Sequence, residues 1–104
     1  MDVFDEIICV LRKEFEQIYI FGSRARGDAL KYSDLDIIIV DTRFEGIPYY
    51  ERVSMARSTI REILSANPID VDIIPLTPEE YEYLRRRRTN IIGDALRRGE
   101  IVEA

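Results

Sequence analysis

The residues best suited to chemistry lie between Gly22 and Asp36, in the string GSRARGDALKYSDLD. Gly22 and Ser23 follow a β-branched and aromatic run, so they stand where a strand hands over to a predicted helical turn. Backbone N–H groups at such a turn can hold a phosphate, and a glycine lets it approach closely. The Ser23 hydroxyl adds a donor, and Arg24 and Arg26 stand beside any anion bound there. Asp34 and Asp36 are two apart on a predicted strand, so both point to one face. Adjacent carboxylates repel, and each costs free energy unless it is paired or metal-bound. Oxygen ligands without imidazole suit a hard cation such as Mg²⁺. Each feature alone has an ordinary explanation: a turn, surface arginines, a solvated strand end. Their meeting within fifteen residues, at the opening of an apolar strand, points to phosphate and metal chemistry.

The elements that must position these residues follow from periodicity. Phe4, Ile7, Ile8, Leu11 and Phe15 recur at helical spacing over 2–15, with Asp2 as a cap. Residues 17–21 read as a strand, 23–27 as a short helical turn, and Asp34–Asp41 as a second strand, apolar on both faces beyond Asp36 and hence central. A loop over 42–48 contains Gly46 and Pro48. A long helix is predicted over 49–66, lined by Val53, Ala56, Ile60, Ile63 and Leu64, with Glu51, Arg52, Arg57 and Glu62 polar. Asn67-Pro68 stops it. A third strand spans 69–76. Thr77-Pro78-Glu79-Glu80 is a helix start with a Thr cap, Pro at the first position and Glu three after the cap, and that helix reaches about residue 89. A short helix over 91–98 and an edge strand at Ile101-Val102 complete the chain. This order predicts an α/β (α+β) fold: a small mixed β-sheet with helices packed on it.

Composition narrows the classes. The 104 residues fit a single domain, 1–104, and the 46% hydrophobic and 34% charged content fits a globular one. One Cys excludes an internal disulfide framework and suits a cytoplasmic location. The longest apolar run, Ile37–Val40, is far short of a membrane span, and the start Met1–Glu6 is acidic where a signal peptide is basic. Net charge is −5, which argues against direct nucleic-acid binding through charge. With no His, Ser-His and Cys-His catalysis and imidazole zinc sites are excluded.

The spacing Gly22-Ser23, ten residues, Asp34-x-Asp36 resembles the signature of the DNA polymerase beta-like nucleotidyltransferase superfamily. GSRARG followed by SDLDIIIV is similar to its small stand-alone branch, the minimal nucleotidyltransferases or MntA-like proteins. The resemblance implies a third carboxylate on a neighbouring strand. Asp70 and Asp72 are the candidates; the family's Val-Asp pattern favours Asp72, with Asp70 in reserve, while Asp41 reads as structural. It implies ATP as substrate and ligation of two Mg²⁺ ions by Asp34, Asp36 and Asp72, with Asp72 taking the proton of the attacking hydroxyl. Gly22 and Ser23 grip the β- and γ-phosphates, and Arg24 and Arg26 neutralise the pyrophosphate leaving group. It also implies an antitoxin role, with AMP transferred to a tyrosine of a HEPN-type RNase toxin in a hetero-oligomer. Two alternatives stay open: a non-catalytic module that neutralises its partner by contact, and a nucleotidyltransferase acting on RNA or a small molecule.

Other features have simpler readings. Arg85–Arg88 follow Tyr81 and Tyr83, but arginines near a helix C-terminus suit the helix dipole and can pair with Glu79, Glu80 and Glu82. Tyr49 and Tyr50 read as packed or half-buried, and Cys9 as a small packing residue.

Overall fold

The computed structural model describes residues 2–21, 35–87 and 101–104. The Asp2 carboxylate accepts the Phe4 N–H at 2.7 Å and starts α1, Val3–Glu14. Such a cap contributes about 1 kcal/mol. Phe4, Ile7 and Leu11 form the buried stripe that their spacing predicts. β1 (Gln17–Phe21) pairs antiparallel with β2 (Leu35–Val40), and β3 (Val71–Leu76) joins β2 in parallel. β4 (Ile101–Glu103) pairs antiparallel with β1, giving a mixed four-stranded sheet in the order β3-β2-β1-β4. The expected α/β architecture is therefore observed, and β2 is an inner strand with Ile37 to Val40 buried.

The two faces of the sheet bury different partners. Leu35, Ile37, Ile39, Val71 and Ile73 pack with Phe4, Ile7 and Leu11 of α1 and with Ala56 and Ile60. Ile38, Val40 and Leu76 on the opposite face pack with Tyr81 of α4 (Pro78–Arg86). Both halves of the predicted capping box form at the start of α4: Thr77 Oγ1 accepts the Glu80 N–H, and Glu80 accepts the Thr77 N–H.

Several local expectations need correction. The predicted loop over 42–48 contains a 3-10 helix, Thr42–Phe44, and Phe44 is fully buried beside Phe15 at 5.7 Å between ring centroids. The single helix over 49–66 is two, α2 (Tyr49–Thr59) and α3 (Arg61–Ala66), divided at Ile60. The Ser58 and Thr59 hydroxyls both donate to the Met55 carbonyl at 3.0 Å, and such back-bonding bends helices. Arg52, expected on the polar face, is buried against the sheet edge. Tyr50 is 70% exposed, not packed, while Tyr49, at 51% exposed, has about half of its surface covered. α4 ends at Arg86, short of residue 89, and β3 starts at Val71, not residue 69. The predicted helices over 23–27 and 91–98 lie outside the described residues. No helix among the described residues is long and apolar enough to cross a membrane.

Candidate active site

The sheet register builds the candidate site. Asp36 on β2 is the register partner of Asp72 on β3, and of Phe21 on β1. Register partners in one sheet project to the same face, and adjacent strands lie about 4.8 Å apart. Two carboxylates on neighbouring strands therefore stand side by side, with an aromatic ring at their flank. Asp36 is half-buried and Asp72 exposed. The next row, Tyr19–Ile38–Ile74, is apolar and belongs to the cluster that α4 covers. Tyr81 stacks on Tyr19 with centroids 4.8 Å apart and planes at 16°. Burial, reinforced by Tyr19, pushes the Tyr81 phenol up to about 12, so it stays neutral as a packing group. The carboxylate row is thus placed at the N-terminal ends of β2 and β3, beyond an apolar floor.

Asp70 lies one residue before β3, with its carbonyl accepting the Leu35 N–H at 3.1 Å. The register aligns Asp72, not Asp70, with Asp36. Gly22, Ser23, Arg24, Arg26 and Asp34 fall outside the described residues. Among the described residues no group of three or more His, Cys, Asp or Glu side chains gathers as a metal site. The Asp36–Asp72 pair nevertheless fits a divalent cation in kind, since it offers oxygen donors only.

Other carboxylates have structural partners. Asp41, buried, accepts the Arg43 N–H at 2.8 Å and the Glu16 N–H at 3.0 Å, which caps the 3-10 helix and ties α1 to it. Arg52 joins Glu80 Oε1 at 2.6 Å and the Ile47 carbonyl at 2.8 Å. On α4, hydrogen bonds from Arg85 and then Arg86 hold the Glu82 carboxyl down at about 2, so the basic run serves its own helix. Arg87 lies over the Tyr83 ring at 4.8 Å, and Arg88 is outside the described residues. Sequence reasoning placed Arg52 and Arg57 in solvent and missed both as partners of the sheet edge. The spacing carried a weak signal for both, since Arg52 lies four before the buried Ala56 and Arg57 three before the buried Ile60.

A family model described as the nucleotidyltransferase domain matches residues 4–101. The chain belongs to the nucleotidyltransferase domain family. That match spans nearly all of the sequence. Among solved structures, a protein from Sulfolobus solfataricus described as a nucleotidyltransferase is 34% identical, with a TM-score of 0.58 over 78% of this chain and 69% of that one. A toxin-antitoxin complex with AMP-PNP contains a chain 22% identical, with a TM-score of 0.54 over 99% of this chain and 72% of that one. BolA1 from Arabidopsis thaliana is also 22% identical, with a TM-score of 0.62 over 77% of this chain and 96% of that one. The last two share the fold alone at that identity. A comparison with curated proteins returned no match.

Proposed function

We propose that residues 1–104 form one Mg²⁺-dependent adenylyltransferase domain that acts as an antitoxin, moving AMP from ATP to a tyrosine of a HEPN-type toxin. The observation that carries the reading is the register of Asp36 with Asp72. The family match supports nucleotidyl transfer. The toxin-antitoxin neighbours, one described with AMP-PNP, support the nucleotide and the type of partner.

In this reading Asp34, Asp36 and Asp72 would hold Mg²⁺, the hard cation that their oxygens suit. When bound, the metal supplies positive charge to the triphosphate and to the attacking oxygen. Gly22 and Ser23 hold the β- and γ-phosphates through N–H and hydroxyl donors, and Arg24 and Arg26 neutralise charge on departing pyrophosphate. Asp72, exposed on the edge strand, is accessible to an incoming phenol and accepts its proton as the oxygen attacks the α-phosphorus. The half-buried Phe21 offers an apolar flank to whatever sits on the carboxylates.

The test is incubation with labelled ATP, GTP, CTP and UTP and the product of the neighbouring gene, followed by mass spectrometry of both chains. An AMP increment on a partner tyrosine, lost in Asp36→Asn, is the expected result. Full neutralisation of the partner with no increment would favour contact alone, and an increment on RNA or a small molecule would replace the acceptor.

A further inference from the structure

β3 forms the outer edge of the sheet. The Asp70 carbonyl bonds to Leu35 N at 3.1 Å and the Leu76 carbonyl to Asp41 N at 3.0 Å, so even-numbered carbonyls of this segment face β2. Odd-numbered carbonyls alternate to the open side. There they meet two arginines of α2. Arg57 Nη2 donates to the Val71 carbonyl at 2.7 Å, and Arg52 Nη1 donates to the Pro75 carbonyl at 3.4 Å. Pro75 itself is tolerated because its missing N–H lies on that open side. α2 therefore runs along the edge and covers it, with Arg57 at the end where β3 begins.

The Val71 carbonyl belongs to the same rigid peptide plane as the Asp72 nitrogen. The residues before it, Asn67 to Asp70, have no regular secondary structure to brace that end. We infer that Arg57 is a positioning residue: by holding the Val71–Asp72 peptide from outside, it fixes the spacing of Asp72 from Asp36. This rests on reading Asp36 and Asp72 as a metal-holding pair. Sites of this kind depend on carboxylates held to within about 0.5 Å, and an edge strand has a β-neighbour on one side only.

The sign of the effect separates positioning from charge. Removing a nearby cation would, by charge alone, strengthen binding of a divalent metal to the carboxylates. Loss of positioning weakens it.

The probe is Mn²⁺, with free metal read by electron paramagnetic resonance. Arg57→Met keeps the apolar stem and deletes the donor, and should weaken Mn²⁺ binding about tenfold, as loss of an outer support commonly does. Arg57→Lys, which keeps one donor, should restore most of that affinity. Arg61→Ala removes a cation one turn further along and should leave it unchanged. Amide exchange at Asp72 in the metal-free protein should quicken in Arg57→Met, an independent readout of the same peptide. Unchanged or tighter Mn²⁺ binding in folded Arg57→Met, with binding abolished in Asp36→Asn, overturns the inference alone. Unaltered binding in both Asp36→Asn and Asp72→Asn overturns the carboxylate pair and the proposed function with it.

Discussion

The two ends of the β2–β3 ladder treat acidic side chains in opposite ways. At the C-terminal end acid meets donor. Asp41 accepts two backbone N–H groups, and Glu80 joins Arg52 while closing the cap of α4. At the N-terminal end acid meets acid, since Asp36 and Asp72 are register partners. Both ends belong to the same two strands, so strand pairing alone does not explain the difference. The first arrangement stabilises the fold. The second sets two carboxylates in register on one sheet face, where under the proposed function they share a cation. The structural carboxylates and the proposed metal-holding pair thus stand a few residues apart on one sheet.

Substitutions should split along this line. The largest effect is expected for Asp41→Ala, which strips the acceptor from the Glu16 and Arg43 N–H groups and from the Arg43 guanidinium; urea unfolding should show a loss of about 3 kcal/mol. Arg52→Ala comes next. It removes the bond to the Ile47 carbonyl, the ion pair with Glu80 and the packing of a buried stem, for a loss of about 2 kcal/mol by the same method. The Asp36→Asn, Asp72→Asn double variant should change stability least, by under about 1 kcal/mol in metal-free buffer. A clear loss of stability there would erase the contrast between the two ends.

The smallest effects are in pH dependence. Burial pushes the Glu80 carboxyl up, but the hydrogen bonds from Arg52 and Thr77 outweigh it and hold it below its usual range. A carboxyl depressed on folding contributes stability that is complete above its unfolded pKa. That contribution is lost as pH falls through the lower folded value. Glu80→Gln should therefore lessen the acid-side fall in melting temperature. Tyr81 acts at the alkaline side. Raised from 10.0 to about 12, it contributes below pH 10 and loses that contribution as pH climbs toward 12. Tyrosinate absorbance should show a late-titrating phenol that disappears in Tyr81→Phe.

Much of the scaffold is legible in the sequence because the signals are local. The apolar run Ile37–Val40 marks a strand buried on both faces, and Thr77-Pro78-Glu79-Glu80 spells out a capping box that forms in full. Strand alternation predicts Asp34 and Asp36 on one face; of the two, Asp36 lies within the described residues, on β2. Non-local facts are not legible in this way. The alignment of Asp72 with Asp36 depends on a parallel register across an intervening pair of helices, and alternation alone gives Asp70 and Asp72 the same parity. The break at Ile60 arises from Ser58 and Thr59 competing for one carbonyl within an otherwise helical pattern. Arg52 and Arg57 look like ordinary polar residues until the sheet edge is set against α2.

The most direct test of the account is a crystal structure of the protein with ATP and Mg²⁺. The account predicts carboxylate oxygens of both Asp36 and Asp72 at about 2.0–2.1 Å from a bound Mg²⁺ ion, on the sheet face shared with Phe21. Metal held by Asp70 with Asp72 turned to solvent, or nucleotide bound away from the Asp36–Asp72 row, would contradict it.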